Sequence, residues 1–165
     1  MEQIRIRAAQ QADMDACCEM LAESRLGEVY YPSRKMIADA LEKAVSQDSF
    51  LVAVNSADEP VGFIWYQARG MFHSFPYLHM IVVRSDQQHT GIGRKLMQTY
   101  EQDSLRLLGA LRTKAYLLVA DFNDRAFEIY RKNGYELINQ FDGLFRRNVN
   151  ERLMVKTITR QANTQ

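Results

Sequence analysis

Two glycines and a glutamine lie at the spacing of an anion-binding turn. The run is Gln88-x-x-Gly91-x-Gly93, followed directly by Arg94 and Lys95. Backbone N–H groups and the helix dipole converge on an anion where a helix begins, and glycine lets the backbone approach a phosphate closely. The spacing differs from the G-x-x-x-x-G-K-[ST] phosphate loop. We interpret the turn as a phosphate cradle, with an ordinary glycine-rich helix start as the alternative.

A second run, Asn123-x2-Ala126-x3-Tyr130-x3-Gly134-Tyr135, carries two side chains capable of hydrogen bonding. Taken alone, Asn123 fits a helix N-cap, and Tyr130 fits a core aromatic residue at helical spacing.

Together these runs resemble the two signature segments of the GNAT superfamily of N-acetyltransferases. The first is Ile81-Val82-Val83-x4-Gln88-x2-Gly91-Ile92-Gly93-x2-Leu96, the second is Leu117-x-Val119-x3-Asn123-x2-Ala126-x3-Tyr130-x3-Gly134-Tyr135, and the resemblance extends over residues 77 to 137. It implies a GNAT-type fold and acetyl-CoA or coenzyme A as cosubstrate.

The resemblance also implies roles for individual residues. The backbone of Ile81 and Val83 would pair with the pantetheine arm like an added strand. A backbone N–H near Val82 would meet the tetrahedral oxyanion. Asn123 would contact the pantetheine arm, and Tyr130 would donate a proton to the departing thiolate. The amides that would hold the pyrophosphate belong to Gln88, His89, Thr90, Gly91, Ile92, Gly93 and Arg94.

The general base is less directly indicated. Many GNAT members place Glu or His on the strand that corresponds to Tyr77–Val83, and this chain has Tyr77 and His79 there, two positions apart and hence on one face. A further family position for Glu is occupied by Leu118. His79 suits general-base work because a histidine has a pKa near ~6.5. A structural histidine, with deprotonation relayed by water, is the alternative.

The acceptor should lie opposite the coenzyme, between the segment Glu28–Tyr31 and the loop Gly70–Pro76. Aromatic side chains with one carboxylate suit an ammonium group, although aromatic residues that cover a sheet edge are the alternative. The candidate residues are Glu28, Tyr30, Tyr31, Phe72, His73, Phe75 and Tyr77.

Hydrophobic periodicity predicts the order β-α-α-β-β-β-α-β-α-β-β. Strands are expected over residues 4–7, 50–54, 61–68, 77–83, 115–120, 135–141 and 153–158, and a polar tail over 159–165. Helices should begin at caps Asp13, Ser33, Gly91 and Asn123, with a break over 27–32. The predicted fold is a mixed, mostly antiparallel sheet with helices on both faces and a splayed central parallel strand pair.

Composition limits the alternatives. The 165 residues fit a single domain, and 21 basic against 20 acidic side chains provide no electrostatic footprint for nucleic acid or an anionic membrane. No run reaches the ~20 apolar residues of a membrane span. The adjacent Cys17 and Cys18 cannot staple the fold, which favours a reduced, cytoplasmic protein. No metal site is expected, because the chain lacks C-x-x-C and its three histidines lack ligand spacing.

The sequence therefore predicts an enzyme that transfers an acetyl or similar acyl group from acetyl-CoA to a primary amine of a small molecule or amino acid. Acetylation of a protein lysine or N-terminus is an alternative, and so is a sensor that binds acyl-CoA without turnover. A homodimer is expected through the late strands Tyr135–Ile158 and the loop Asp142–Asn150.

Overall fold

The computed structural model describes residues 2–162. Within them lie seven strands and five α-helices. Their order is the predicted one, except that an additional short helix lies between the two helices predicted after the first strand. In chain order they are β1 (Arg5–Ala8), α1 (Met14–Ala22), α2 (Arg25–Tyr30), α3 (Arg34–Gln47), β2 (Ser49–Val54), β3 (Pro60–Met71), β4 (Phe75–Val83), α4 (Ile92–Leu108), β5 (Arg112–Ala120), α5 (Asp124–Lys132), β6 (Glu136–Asp142) and β7 (Asn150–Thr159).

The seven strands form one mixed sheet in the order β1-β2-β3-β4-β5-β7-β6. The pairs β1–β2, β2–β3, β5–β7 and β6–β7 are antiparallel. Strands β4 and β5 pair in parallel at Tyr77↔Tyr116 and Leu78↔Leu117. The predicted mixed, mostly antiparallel sheet with a central parallel pair is confirmed.

The chain divides into two compact units. The first contains the residues up to Gln67 together with Met80–Tyr100, and the second contains Ala68–His79 and the residues from Glu101 onwards. Strands β3 and β4 and helix α4 contribute residues to both units. That the chain acts as one domain stays a prediction.

Helices cover both faces of the sheet in the first unit. Phe63 and Trp65 of β3 join a buried cluster with apolar side chains of α1 and α3. On the opposite side of β3, a Cβ at Gly62 would lie 3.4 Å from Ile92 and 3.5 Å from Leu96 of α4. Alternation along the strand therefore sends one set of residues to α1 and α3 and the other set to α4.

Ser33 caps α3 as predicted, since its Oγ accepts a hydrogen bond from the Met36 N–H at 3.2 Å. Asp13 does not cap α1. Its carboxylate instead accepts hydrogen bonds from the Arg7 guanidinium at 2.7 and 3.0 Å and from the Gln10 N–H at 2.7 Å. The Asp13 carboxylate binds the charged Arg7 of β1 in preference to the backbone amides of α1, because hydrogen bonds between charged groups are stronger.

The break predicted from Gly27 is wrong, because this glycine lies inside the six-residue helix α2. Ser24 caps that helix, and its Oγ accepts from the Gly27 N–H at 3.1 Å. A Cβ at Gly27 would stand 1.9 Å from the carbonyl oxygen of Leu21 in α1. The glycine permits close approach of two backbones rather than a turn.

The predicted loop Gly70–Pro76 is also wrong, because β3 runs to Met71 and β4 begins at Phe75. Phe72 and His73 form the tight turn with φ of 53° and 56°, and the Ser74 N–H donates to the Met71 carbonyl at 3.1 Å. Two residues at positive φ are typical of a hairpin turn, which usually contains Asn or Gly. Neither residue type is present here, so the sequence did not indicate the turn.

Glycines end the helices of the second unit as predicted. Gly109 follows α4 with φ of 63°, and Gly134 follows α5 with φ of 95°. Arg152 of β7 links the beginning of α5 to the end of β5. Its Nη1 lies 2.9 Å from the Asp124 carboxylate, and its Nη2 donates to the Ala120 carbonyl at 2.9 Å. The tail predicted from Thr159 starts too early, since Thr159 belongs to β7; residues 163–165 of that tail lie outside the described part.

Candidate functional site

The glycine-containing turn lies in the first unit between β4 and α4. Lys95 N–H makes a helical hydrogen bond to the Gly91 carbonyl at 3.0 Å. The three preceding amides, those of Ile92, Gly93 and Arg94, have no acceptor within the helix. They are the donors that this turn can present to an anion.

Gly91 and Gly93 differ in what they require. Gly91 has a φ of 90°, which favours glycine, although a Cβ there would meet nothing within 4 Å. A Cβ at Gly93 would meet only Val83 Cγ2, at an ordinary 3.8 Å, and its φ is not positive. Neither the backbone nor the packing requires glycine at 93. Open space beside amides that lack acceptors fits a pyrophosphate, so the residues present fit coenzyme A.

Two side chains of the turn form hydrogen bonds to backbone carbonyls in or next to the turn. Thr90 Oγ1 donates to the Gln87 carbonyl at 2.6 Å, and Gln88 Nε2 donates a longer bond to the Val83 carbonyl at 3.4 Å. His89 has a φ of 67° and is exposed. That its backbone N–H binds the pyrophosphate stays a prediction.

The cations near the turn are differently placed than the sequence suggests. Arg84 pairs with Asp86 at 2.6 Å, and Lys95 Nζ donates to the Ile4 carbonyl of the N-terminal segment. Arg94 is exposed. Of the two basic residues singled out after Gly93, Arg94 is therefore the better placed to add charge.

In the second unit, Asn123 is a helix N-cap. Its Oδ1 accepts a hydrogen bond from the Ala126 N–H at 3.3 Å. The cap uses one of the two acceptor positions of the oxygen and leaves the side-chain NH2 group available as a donor.

Tyr130 is buried in α5, with 8% of its surface exposed. Burial raises the pKa of its phenol above the ordinary value, because the anion is disfavoured away from water. Its ring meets Tyr135 edge-on at 6.1 Å. The hydroxyl therefore stays protonated at neutral pH.

A charged network that the sequence analysis missed lies behind Tyr135. The Tyr135 hydroxyl donates to Glu101 Oε1 at 3.0 Å, and Lys156 Nζ lies 3.0 Å from both oxygens of the same carboxylate. Glu101 belongs to α4 and Lys156 to β7, far apart in sequence. No local pattern could have paired them.

His79 and Tyr77 lie next to one another on β4, as predicted. Their rings meet edge-on with centroids 5.8 Å apart, and His79 is on the exposed side of the strand, between the buried Leu78 and Met80. Burial, and secondarily the negative charge of Glu151, raises the pKa of Tyr77 to about 12. Tyr77 is therefore neutral at physiological pH.

Glu151 is a buried carboxylate that the sequence analysis missed. It is 3% exposed and lies opposite Ala120 in the β5–β7 ladder. The family positions for a general base lie on β4 and β5, whereas Glu151 belongs to β7. The available signal was a glutamate two positions before the strand predicted over 153–158.

The residues proposed for the acceptor fall into both units. In the first, Glu28 belongs to α2, where its carboxylate pairs with Arg25 at 2.8 Å, and Tyr30 ends the helix just before Tyr31. Glu28 is thus already neutralised by a neighbour, which weakens it as an ammonium ligand.

In the second unit, Phe72 and His73 form the hairpin turn, and Phe75 begins the strand that follows it. Phe72 is 71% exposed. Both phenylalanines meet Tyr116 of β5 edge-on, at 6.4 Å and 5.7 Å between ring centroids. The structure thus brings two of the proposed residues together with an aromatic residue that the sequence did not single out.

Cys17 and Cys18 are free cysteines. Burial raises the pKa of Cys17 to about 12 and also raises that of Cys18, so neither is a ready nucleophile. Across residues 2–162 no group of three or more His, Cys, Asp or Glu side chains could hold a metal ion. No described helix is long and apolar enough to cross a membrane.

Comparisons with known proteins agree with this fold. A comparison with curated protein sequences gives no match. Among solved structures, a chimera of spermidine N-acetyltransferase SpeG from Vibrio cholerae and hSSAT is similar, with a TM-score of 0.74, 18% identity and coverage of 93% of this chain and 95% of that chain. A point mutant of the Vibrio cholerae enzyme has a TM-score of 0.73, 19% identity and coverage of 94% of each chain.

An aminoglycoside 6′-N-acetyltransferase complexed with coenzyme A is similar as well, with a TM-score of 0.74, 20% identity and coverage of 96% of this chain and 99% of that chain. At these identities the likeness shows the fold. The sequence model of the acetyltransferase (GNAT) family matches residues 14–135, which is most of the chain. The chain belongs to the GNAT acetyltransferase family and is an acetyl-CoA-dependent acyltransferase.

Proposed function

We propose that the chain transfers an acetyl group from acetyl-CoA to a primary amine of a small molecule or amino acid, by direct attack of the amine on the thioester. The observation that carries this proposal is the combination of the family match with the turn Gln88–Arg94, where Gly93 leaves space that the protein itself does not use. The named similar structures are N-acetyltransferases for spermidine and for an aminoglycoside, which supports a small amine as acceptor.

Bound acetyl-CoA supplies an activated acyl group, and the reaction forms a C–N bond while the C–S bond breaks. The amides of Ile92, Gly93 and Arg94 would bind the pyrophosphate, together with the backbone from Gln88 to Gly91. The backbone of Ile81 and Val83 would pair with the pantetheine arm, and an N–H near Val82 would stabilise the oxyanion. Asn123 would donate to the pantetheine arm through its side-chain NH2.

Two side chains would handle protons. Tyr130 would donate its hydroxyl hydrogen to the departing thiolate, since burial keeps the phenol protonated. His79 would accept a proton from the attacking amine, directly or through water, since it lies on the exposed side of β4. Water-relayed deprotonation without His79 remains the alternative. We expect cytoplasmic location and no metal requirement.

The test begins with binding. Coenzyme A and acetyl-CoA should each raise the melting temperature, because a ligand that binds only the native state stabilises it. A panel of small amines, amino acids and peptides with acetyl-CoA, followed by release of free thiol, then identifies the acceptor class. Turnover confined to peptides would favour protein acetylation. Tight binding without thiol release from any acceptor would favour the sensor, and no thermal shift would contradict coenzyme binding.

A further inference from the structure

A groove of about 400 Å³ lies within the second unit. It is formed by the beginnings of β4 and β5 and the end of β7, and its lining residues are Phe75, Arg112, Thr113, Lys114, Tyr116 and Thr157. The volume is within the ~300–1,000 Å³ range of small-molecule sites. The lining combines two aromatic rings with two cations and contains no acidic residue.

The groove continues the strand face that carries His79. Tyr77 lies opposite Tyr116 in the parallel register, and residues two apart on a strand share a face. Phe75, Tyr77 and His79 therefore share one side of β4. Because paired residues of neighbouring strands also share a face, Tyr116 lies on that side, and alternation adds Lys114 and Arg112 of β5.

Strand geometry sets the distances along this face. Two residues span ~7 Å, so His79 lies about that far from the level of Tyr77 and Tyr116 in one direction, and Lys114 about that far in the other. The backbone levels of His79 and Lys114 are thus ~13 Å apart, and Arg112 adds ~7 Å more. This separation suits a short, extended molecule with different groups at its two ends.

The charge at the far end is positive. Arg112 and Lys114 are both exposed, and within residues 2–162 neither forms an ion pair with an Asp or Glu side chain. Phe75, at the level of Lys114, and Tyr116, at the level of Tyr77, meet edge-on. Such rings bury an apolar linker, whereas two uncompensated cations disfavour a polycation.

We propose that this groove receives the part of the acceptor remote from its reacting amine, and that Arg112 and Lys114 select an acceptor with an anionic group there, a carboxylate or a phosphate. This inference rests on the proposed amine acetylation and names its substrate class. It separates the chain from the spermidine N-acetyltransferases that share its fold, because spermidine is a polycation.

The experiment compares three primary amines of equal chain length that differ only at the far end. They are an ω-amino carboxylate, an alkylamine and an α,ω-diamine. A fourth compound, an ω-amino phosphate, shows whether the groove prefers a carboxylate or a phosphate. The measured quantity is kcat/KM from thiol release. The wild type should prefer the anionic acceptors over the diamine at least about tenfold, the effect expected of one charge-assisted hydrogen bond.

Lys114→Glu and Arg112→Glu should each remove that preference or reverse it, through KM more than through kcat. Lys43→Glu, which reverses an exposed charge of α3 in the first unit, is the matched control and should keep the preference. The thermal shift with coenzyme A should be the same in all variants. A wild-type preference for the diamine, or a preference that both groove variants retain, would overturn the inference.

The outcomes separate the inference from the function on which it rests. Acetylation of all three amines at equal rates would leave amine acetylation standing and refute anionic selection. If no amine releases thiol, amine acetylation fails. In that case binding of the amino carboxylate is measured by ligand-observed NMR in the presence of coenzyme A. If the wild type binds the amino carboxylate and Lys114→Glu does not, the result supports a groove that binds anions. Equal binding by both proteins would refute it.

Discussion

Gly91 and Gly93 are two positions apart and are glycines for different reasons. Gly91 adopts a φ of 90°, whereas Gly93 is helical with room for a Cβ. The conformational role of Gly91 follows from the chain alone. In the proposed function, Gly93 leaves free space beside the amides of α4 for the pyrophosphate of coenzyme A.

Gly93→Ala should therefore separate binding from stability. Alanine favours a helix over glycine by up to ~1 kcal/mol, so the apo melting temperature should stay equal or rise. The thermal shift with coenzyme A should shrink or vanish, because the methyl group occupies the pyrophosphate space. Gly91→Ala is the comparison variant and should lower the apo stability by ~1 kcal/mol. An undiminished shift in Gly93→Ala would contradict the assigned cradle.

Tyr130→Phe tests the proposed acid by removing only the hydroxyl. Acetyl-CoA affinity should change little, and kcat should fall by ~10²–10⁴-fold, because proton donation acts mainly in the transition state. Since burial raises the pKa of this phenol, the wild type should lose no activity through its ionisation below pH ~10. His79→Ala should instead flatten the acidic limb of the pH–rate profile. Full turnover by Tyr130→Phe would make the acid assignment wrong.

At the scale of elements, charged side chains join segments that are distant in sequence. In the first unit, Arg7 of β1 holds the buried Asp13 just before α1. In the second unit, Lys156 of β7 and Tyr135 hold Glu101 of α4. Tyr135 also packs edge-on against Tyr130, so this cluster supports the proposed acid.

The Arg7–Asp13 pair should make stability depend on acid. The hydrogen bond from Arg7 lowers the pKa of Asp13 below its ordinary value, although burial opposes the shift. A carboxyl with a lowered folded pKa contributes stability above its unfolded pKa of ~3.9 and loses it as the pH falls through the folded value. The free energy of unfolding of the wild type, measured with urea, should fall below pH ~4. Asp13→Asn should be less stable at pH 7 and lose less on acidification; an equal acid dependence would exclude the pair as its source.

Lys156→Met should destabilise the second unit by ~1–3 kcal/mol, because it leaves the Glu101 carboxylate buried without its cation. Glu128→Gln is the matched control, since it breaks an exposed pair with Arg131 in α5. Surface pairs contribute ~0–1 kcal/mol. Thermal unfolding followed by circular dichroism compares the two variants. Equal losses would show that the buried network adds no more than a surface pair.

At the scale of the whole molecule, β6 is an edge strand with an apolar surface. It terminates the sheet order, and Leu137, Ile138, Leu144 and Phe145 are large hydrophobic side chains exposed on it or on the following loop. Unpaired strand edges with exposed apolar residues favour pairing with another copy. This placement supports the expected homodimer.

Light scattering at tens of micromolar tests that expectation. The wild type should have twice the chain mass of 19.1 kDa. Ile138→Lys should shift the mass towards that of one chain, because a buried charge opposes strand pairing. Lys132→Glu, at the exposed end of α5, changes charge away from the strand and should leave the mass unchanged. A monomeric wild type would exclude a stable dimer.

The two motifs indicated the family by resemblance. The sequence alone also determined the order of elements apart from α2, the glycine turn before α4 and the helix of Tyr130. These features rest on local rules: helical spacing, strand alternation, and glycines at Gly109 and Gly134 that end helices with positive φ. Each depends on residues within a few positions of one another, so the pattern is visible in the printed chain.

Only the tertiary structure decided the rest. It paired Glu101 with Lys156, buried Glu151, explained Gly27 by its approach to Leu21, and aligned Arg112 and Lys114 with the face of His79. It also closed the hairpin at Phe72 and His73 without the usual turn residues. These features are contacts between distant segments or conformations held by such contacts, and their energies depend on neighbours that no local window of sequence contains.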